Sequence, residues 1–570
     1  MKRKSLLAFA LLCAVCMSSA FAQNNSDNAQ TSDTKLVTED ESAPWYCYRV
    51  YLTDKEGTPY SVSRPEEFLS QRALDRRARY GIAITEEDLP LNPAYVAQIR
   101  AAARPVYMPS QSKWTNTLTL MLLDTSTLDA VQALPCVREV MPIGIHPSDN
   151  LELEVEDYGS IGYLPGGLDY YGYGFPQMAL HNGHLLHNEG FHGEGMLIAM
   201  MDCGWYGFDQ MPSMQHLYEE NRILGTYDVL PFTQSIYNQH DHGTFCTSEI
   251  IANIPNYFVG AAPEADLAFI RTEDVTVEIL MEEDFWVRGA EIADSIGADV
   301  ISSSIAYTTF DDNSTHPLDY STCNGEWSIA SAAATMAAHK GMVLSISAGN
   351  DGDNWWQKIS RPSDAKDVLC VGAVNPDGVR ASFSSMGPSY DGRVKPDVVS
   401  CGAEMYALNS NDTVMWMFVG GTSSSAPIIA GLAACLWQAM PQYNALEIMQ
   451  IIRESSHQYD NPDIYLGYGI PDFYQAWLQH GQTGISENQV TTDISVFPNP
   501  CSDKMQLLNR QSRTVRYELF DMAGRLVLRN LQWNRNPILS IDLSDCKSGI
   551  YFLKVDVKEG KSEVLKVVKE

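Results

Sequence analysis

Residues 195–204 read GMLIAMMDCG, an apolar run that begins after a glycine and ends in an aspartate. A run this short, bounded by turn residues, is typical of a strand buried on both faces of a sheet. Similar runs follow at 298–304 (ADVISSS), 341–347 (GMVLSIS) and 367–374 (DVLCVGAV). Strands of this kind need helices on both sides, so the pattern predicts the class of the fold.

Helix-like segments separate these runs. The segments 283–297 (EDFWVRGAEIADSIG) and 327–341 (WSIASAAATMAAHKG) each end in a glycine at the C-cap position. The alternation predicts an α/β fold with a doubly wound, mostly parallel sheet. In such sheets sites form outside the carboxyl ends of the strands, so polar residues that follow the strands are candidates for chemistry.

Composition excludes some classes of function. The chain has 570 residues and a formal net charge of −32, which argues against nucleic acid as a partner because phosphates would be repelled. A basic head, the apolar run SLLAFALLCAVCM and a final AFA predict a signal peptide over residues 1–22, and hence export. The ten cysteines that follow it are widely spaced with no CxxC pair, which argues against a zinc site. Their disulfide pairing stays open.

Composition also divides the chain. Residues 23–42 are rich in Asn, Ser, Asp and Thr, which is typical of disorder, and residues 45–146 have the pattern of a small α/β module. A polar linker, GQTGISENQVTTD, ends at residue 493. Residues 491–570 then carry 13 Lys and Arg against 10 Asp and Glu, in alternating strands separated by turns. This last segment is predicted to be a β-sandwich.

Three kinds of residue lie where a site at the sheet edge would need them. Asp202 ends the first buried strand, where an acid is costly without a partner. His242 opens the helix-like HGTFCTSEIIAN, with His240 as a nearby alternative. The serines 423–425 precede the apolar helix APIIAGLAACLW. Each has a plain structural interpretation as a helix cap or an ordinary histidine. A serine at a helix N-terminus equally suits a nucleophile, because free N–H groups there stabilise an oxyanion.

Together these motifs resemble a known family. MMDCG, HGTF and GGTSSSAP, in the chain order Asp–His–Ser, closely resemble the subtilisin-like serine proteases, or subtilases (peptidase family S8). The family pattern at the nucleophile is Gly-Thr-Ser, followed three residues later by a small residue and proline. Laid on Gly421-Thr422-Ser423 and Pro427, it selects Ser423. The resemblance implies a catalytic triad of Asp202, His242 and Ser423 that hydrolyses peptide bonds through an acyl-enzyme. SISAGNDG resembles the segment whose asparagine completes the oxyanion hole, which is Asn350 here.

The resemblance also assigns substrate binding, and the chain departs from the family in places. The substrate-binding residues that it implies are Ser304, Ile305, Ala306 and Gly349. Ala306 stands where subtilases typically have glycine, and we expect it to narrow a subsite. Cys203 stands where the family usually has Ser or Thr, and Phe245 replaces the second histidine of HGTH. Cys246 resembles the cysteine below the catalytic histidine of proteinase K-like enzymes, and we expect a buried, inert thiol there.

The flanking segments resemble further parts of such proteins. The resemblance implies a linker and propeptide domain over 23–150 and a catalytic domain over 175–482. Near the end of the chain, VFPNPCSD, YELFDMAGRLV and SGIYFLKV resemble the C-terminal sorting domain of type IX secretion in Bacteroidetes, and this second resemblance implies such a domain over 491–570. Together the two resemblances predict a zymogen that is secreted or held at the cell surface. The expected partners are protein or peptide substrates, the chain's own propeptide as inhibitor, and the type IX machinery.

Two further expectations concern ligands and an alternative function. No cofactor is expected for catalysis and no metal ligand is assigned, although the acid-rich segment 271–284 is a candidate for a structural calcium ion. The alternative function is a catalytically silent subtilase-fold adhesin or binding protein at the cell surface. The presence of Asp202, His242, Asn350 and Ser423 together favours the enzyme, because a binding protein has no need of all four.

Overall fold

The structure is a computed structural model. It describes residues 43–147, 170–230, 235–311, 319–408, 410, 416–481, 494–497, 499–509, 513–521, 525–536, 538–558 and 562–569. The predicted signal peptide, the disorder predicted for 23–42 and most of the linker before residue 493 lie outside the described residues.

An α+β module occupies the N-terminal part. Its antiparallel sheet has the order β2-β3-β1-β4, formed by β1 (Trp45–Leu52), β2 (Gln111–Ser112), β3 (Thr117–Leu122) and β4 (Val137–His146). Its helices are α1 (Gln71–Tyr80), α2 (Pro93–Ala103) and α3 (Leu128–Gln132). The Ser70 side chain caps α1 by accepting the N–H of Ala73, and Gly81 ends it in the left-handed conformation.

The central domain is built on a seven-stranded sheet in which every neighbouring pair is parallel. The strand order is β13-β12-β11-β10-β5-β9-β6. The strands are β5 (Leu197–Asp202), β6 (Ile223–Asp228), β9 (Asp266–Arg271), β10 (Val300–Ser303), β11 (Val343–Ser347), β12 (Leu369–Val374) and β13 (Val398–Cys401). The four runs found in the sequence are β5, β10, β11 and β12, and they are buried along their length. The predicted α/β class and parallel sheet are therefore confirmed.

Helices and short hairpins complete this domain. The helices are α4 (Phe175–Leu180), α5 (Gly183–Asn188), α6 (Gln215–Glu219), α7 (His242–Ile251), α8 (Met281–Ile296), α9 (Ile329–His339), α10 (Thr422–Ala439), α11 (Ala445–Glu454) and α12 (Phe473–His480). The hairpins pair β7 (Asn253–Ile254) with β8 (Phe258–Val259) and β14 (Met405–Leu408) with β15 (Trp416–Val419).

Side-chain alternation along the strands places helices on both faces of the sheet. Ser302 of β10 is paired with Ser345 of β11, whose hydroxyl donates to a carbonyl of α10 at 2.7 Å. The next residue, Ser303, accepts the indole N–H of Trp286 in α8 at 3.0 Å. Because successive residues of a strand point to opposite faces, α10 and α8 cover opposite sides of the sheet. The sheet is doubly wound, as predicted.

The C-terminal part has its own core and two antiparallel sheets. One sheet has the order β16-β17-β20, from β16 (Ile494–Phe497), β17 (Lys504–Asn509) and β20 (Ile538–Asp542). The other has the order β19-β18-β21-β22, from β18 (Val515–Asp521), β19 (Leu526–Asn534), β21 (Gly549–Val557) and β22 (Glu563–Lys569). Both sheets contribute to one apolar cluster, so the predicted β-sandwich is confirmed.

The N-terminal module covers acidic residues of α8. Arg49 of β1 pairs with Asp284 at 2.6 Å, and both side chains are buried. Glu291 accepts the Ser112 hydroxyl at 2.6 Å and two backbone N–H groups of the same loop. One turn further along α8, Asp294 is fully buried among three cations: Arg76, Arg77 and Lys113. The interface between the module and the central domain thus combines buried ionic contacts with an apolar part, to which Cys47, Trp114, Met121 and Ile143 contribute.

The three cations around Asp294 give a testable prediction. Burial by itself raises the pKa of Asp294, but the positive charges of Lys113, Arg77 and Arg76 outweigh it and lower that pKa. Asp294→Asn would leave Arg76 and Lys113 buried without this counter-ion, whereas Arg77 would keep Asp88. We expect the free energy of unfolding to fall by about 3–5 kcal/mol. Urea-induced unfolding of the full-length chain measures it.

The matched control is Glu67→Gln, which removes the acid of an exposed pair with Arg64. It should change the unfolding free energy by less than about 1 kcal/mol, because solvent screens such pairs. Equal effects of the two substitutions would contradict the importance of the buried network.

Candidate active site

The carboxyl edge of the central sheet brings the predicted residues together. Strand β5 ends in Asp202, whose side chain is only 1 % exposed, and α7 begins with His242. The Oδ1 atom of Asp202 lies 2.7 Å from the Nδ1 atom of His242 and also accepts the backbone N–H of Cys203 at 2.8 Å. A buried carboxylate therefore holds one nitrogen of the imidazole and leaves the other for chemistry.

Asp202 also sets the electrostatics of the imidazole. Burial by itself lowers the pKa of His242, but the charge and the hydrogen bond of Asp202 outweigh it, and the net effect is a raised pKa. Asp241 and Glu273 add smaller contributions of the same sign. The charged imidazolium is thus stabilised at this position, as a residue that accepts a proton during a reaction requires.

The three serines of the run have different environments. Helix α10 begins at Thr422, so all three lie in its first turn. Ser424 and Ser425 are buried, whereas Ser423 is partly exposed. A serine hydroxyl that attacks a substrate must be reachable, so the structure separates Ser423 from its two neighbours.

The carbonyl of Ser423 is held by neighbours outside its helix. Pro427 has no N–H, so the carbonyl four residues earlier has no partner within α10. This carbonyl instead accepts the Ser304 hydroxyl at 2.9 Å and lies 3.3 Å from the Cys246 thiol. The same sulfur lies 3.8 Å from Nδ1 of His242. Cys246 is fully buried between the two residues, as expected from the sequence.

The hydroxyl of Ser423 donates to the carbonyl of Ser304 at 3.4 Å. For His242 to act as its base, the hydroxyl must first leave this bond. Hydrogen bonds of catalytic groups are often long or poorly aligned before substrate binds.

Asn350 lies beside the start of α10. Its Oδ1 atom accepts the backbone N–H of Thr422 at 2.8 Å and the Thr422 hydroxyl at 3.0 Å. The oxygen of the amide is therefore occupied and the NH₂ group is the one left to act as a donor. The backbone N–H of Ser423, in the first helical turn, is among the groups that a helix leaves without internal partners. Two donors of the kind that stabilise an oxyanion are thus near Ser423.

The four predicted substrate-binding residues follow β10 and β11 at the same edge. Ser304 and Ile305 are buried, and Ala306 is partly exposed. Gly349 has a φ of +102°, and a Cβ there would lie 2.5 Å from the hydroxyl of Ser360. Both the backbone conformation and the space require glycine at this position. Substrate binding by these residues remains a prediction.

Sequence reasoning missed two contributors. Thr422 orients the Asn350 amide, and the Ser304 hydroxyl fixes the Ser423 carbonyl. Thr422 was visible as part of the family motif, but its partner Asn350 is far away in the chain. The family resemblance assigns Ser304 to substrate binding only, and no local sequence pattern indicates its hydrogen bond to α10.

The acid-rich segment 271–284 brings three carboxylates together. Oxygens of Glu273, Glu278 and Glu282 lie within 4.8 Å of one another. Both oxygens of Glu282 already accept backbone N–H groups, and Glu273 accepts the hydroxyl of Tyr307. Ca²⁺ takes about 6–8 oxygen ligands. Three carboxylates supply only part of such a set, so a calcium ion at this segment stays a prediction.

Comparison with family models gives matches to three parts of the chain. The model of the subtilase family matches residues 193–469. The chain carries a subtilase domain. Residues 47–152 match the peptidase S8 propeptide domain of Bacteroidota, and residues 495–570 match the secretion system C-terminal sorting domain. The resemblances stated from the sequence are thereby confirmed for all three parts.

Individual relatives of the subtilase domain share modest identity. Serine protease AprX of Bacillus subtilis (strain 168) is 25 % identical over 304 residues, which are 48 % of this chain and 64 % of AprX. The thermostable alkaline protease of Halalkalibacterium halodurans is 27 % identical over 50 % of this chain and 68 % of its own length. The chain thus spans about two thirds of such relatives.

Solved structures give a weaker match. The structure of MycP1 with its N-terminal propeptide removed has a TM-score of 0.42 and 22 % identity, and the match covers 55 % of this chain and 98 % of that one. Separately, no helix among the residues that the structure describes is long and apolar enough to cross a membrane.

The Asp202–His242 pair gives a prediction that does not depend on activity. Asp202→Asn removes the charge that outweighs burial, so we expect the pKa of His242 to fall below that of the unsubstituted protein. In a pH titration followed by NMR of the imidazole, the protonated form should persist to higher pH in the unsubstituted protein. An unchanged midpoint would contradict the assigned role of Asp202.

Proposed function

We propose that the chain is an exported, subtilisin-like serine endopeptidase made as a zymogen. The observation that carries the proposal is the Asp202–His242 hydrogen bond of 2.7 Å, which Cys246 links to Ser423, the partly exposed residue of the three serines. The subtilase match over 193–469 supports the same reading. A catalytically silent binding protein has no requirement for this arrangement, and no finding favours that alternative.

The proposed reaction begins at Ser423. His242 takes the hydroxyl proton as Ser423 attacks the scissile carbonyl, and Asp202 stabilises the imidazolium that forms. The raised pKa of His242 suits this step, because it favours the protonated ring. His242 then gives the proton to the leaving amine, and water hydrolyses the acyl-enzyme by the reverse route.

The negative oxygen of the tetrahedral intermediate needs donors in place. The Asn350 amide and the Ser423 backbone N–H would supply them, since Thr422 keeps the amide oxygen turned away. Ser304, Ile305, Ala306 and Gly349 would line the substrate chain. No cofactor takes part in these steps, as is usual for subtilases.

The two flanking domains are proposed to act in folding, inhibition and secretion of the protein. The module over 23–150 would assist folding and block the site of the domain over 175–482 until it is removed. The domain over 491–570 would direct passage through type IX secretion machinery to the surface or the medium, which the sorting-domain match supports. The ionic contacts on α8 support the docking of this module on the central domain, and the block of the site is part of the proposal.

Three alanine variants test the choice of nucleophile. Ser423→Ala should abolish labelling by a fluorophosphonate and lower kcat by about 10⁶-fold, because no other hydroxyl takes its place. Self-removal of the propeptide should stop as well. Ser424→Ala and Ser425→Ala should keep labelling, because their hydroxyls are buried in α10.

Circular dichroism of each variant controls for folding. If Ser423→Ala were still labelled while a neighbouring variant was not, the motif would have been assigned to the wrong serine. Absence of labelling in the unsubstituted, matured protein would instead favour the silent binding protein.

Asn350 gives a separate prediction about the oxyanion. Asn350→Ala removes one donor from the intermediate but leaves substrate contacts, so kcat should fall by about 10²–10³-fold while KM changes little. Steady-state kinetics on a peptide substrate measure both. A change confined to KM would mean that Asn350 binds substrate and does not stabilise the intermediate.

A further inference from the structure

A thiol lies beside the Asp202–His242 pair. Cys203 follows Asp202 directly, and its Sγ atom is 3.4 Å from the Oδ1 atom that also contacts His242. The carboxylate, the thiol and an imidazole nitrogen all lie within 4.8 Å of one another. Subtilases usually have Ser or Thr at this position, so the sulfur is a feature of this chain that the proposed reaction does not use.

The second oxygen of Asp202 has no partner. Its Oδ2 atom is buried, with the side chain only 1 % exposed, and it accepts no hydrogen bond from any residue that the structure describes. Both Cys203 groups, the backbone N–H and the thiol, are directed at Oδ1 instead. Leaving a buried charged acceptor unpaired is costly, by more than about 1–3 kcal/mol. The site therefore has an unmet requirement for a donor or a cation.

The donor set indicates which cation would meet it. Cysteine sulfur, histidine nitrogen and a carboxylate oxygen are the ligands of Zn²⁺, at about 2.0–2.3 Å from the ion. The contacts of 2.7 and 3.4 Å within the group require only small shifts to converge on one ion. Hard cations such as Ca²⁺ and Mg²⁺ prefer oxygen alone. We propose that Asp202, Cys203 and His242 form a Zn²⁺ site, and that the zinc-bound protein is catalytically inactive.

Loss of activity follows from the same contacts, and this part rests on the proposed function. Zinc would occupy Nδ1 of His242 and the carboxylate that now bonds to it. The neutral ring would then carry its one proton on Nε2, so this nitrogen could not accept the proton of Ser423. Binding releases the thiol proton of Cys203 to solvent and moves the single ring proton of neutral His242 from Nδ1 to Nε2. The His242 side chain is 22 % exposed, which gives the ion an approach from the site.

The sulfur of Cys246 is a weaker candidate for a ligand. It lies 3.8 Å from Nδ1 of His242, and its thiol donates a hydrogen bond to the carbonyl of Ser423 at 3.3 Å. Without metal, burial chiefly and the charge of Asp202 raise the pKa of both thiols well above its usual range, so both are neutral and unreactive.

Cobalt tests binding without any need for activity. Co²⁺ replaces Zn²⁺ in such sites, and a thiolate ligand gives it a charge-transfer absorption band. The full-length chain and its Ser423→Ala variant should both show the band at one Co²⁺ per chain, and Zn²⁺ should displace it. Cys203→Ser and Cys203→Ala should lose the band and weaken Zn²⁺ binding by more than about 100-fold. Loss of a residue that only hydrogen-bonds to a metal ligand already lowers metal affinity by about 10–100-fold, and Cys203 is proposed to be a ligand itself.

Two further variants make the test specific. Cys370→Ser, which alters a fully buried thiol in β12, should keep the band. Cys246→Ser should keep it as well. No band in the unsubstituted chain, a band retained by Cys203→Ser, or a band lost with Cys246→Ser would overturn the proposed site.

A fluorophosphonate separates the two proposals. On the matured protein Zn²⁺ should suppress labelling of Ser423, a chelator should restore it, and Cys203→Ser should be labelled equally with and without Zn²⁺. Labelling that persists in the zinc-bound protein would overturn the inactive state. Absence of labelling without metal would count against the proposed peptidase, while the cobalt band would still decide whether the site exists.

Discussion

The Ser423 carbonyl, which has no partner in its own helix, joins the elements on which the site depends. Pro427 removes the N–H that would otherwise bond to it, and a buried carbonyl must find another donor. It accepts the Ser304 hydroxyl and contacts the thiol of Cys246, which ties α10 to the end of β10 and to α7. These elements carry the proposed nucleophile, part of the substrate edge and the proposed base. A proline in the helix thus fixes their spacing without any bond to a reacting atom.

Charge is arranged differently at the two ends of α8. Near its start, Glu273, Glu278 and Glu282 lie close together. Burial, and then the negative charges of Glu273 and Asp311, raise the pKa of Glu278 to about 9. Along its length Asp284, Glu291 and Asp294 are buried, and residues of the N-terminal module contact all three. Buried ion pairs add little net stability compared with the same charges in water. Such an interface is specific, yet it suits a module that is proposed to be removed.

Asp202 is the point at which stability and chemistry conflict. A carboxylate at the end of an apolar strand is costly, and one of its oxygens stays without a partner. The other oxygen holds His242 and keeps its pKa raised. The thiol at position 203 is a weaker donor than a hydroxyl and does not relieve this cost. The negative charge of Asp202 therefore serves both proposals: it orients His242 for the proposed catalysis, and it binds Zn²⁺ in the proposed inactive state.

The sequence by itself determined the class of the fold, because short buried runs and glycine-ended helices are local patterns. It also determined the three family resemblances, since each motif is contiguous. Only the tertiary structure decided which serine is exposed, how the Asn350 amide is turned and which oxygen of Asp202 is unpaired. These depend on contacts such as Asn350 with Thr422, which lie on different elements. The sheet order β11-β10-β5-β9 does not follow the chain, so spacing along the sequence does not reveal which strand ends become neighbours.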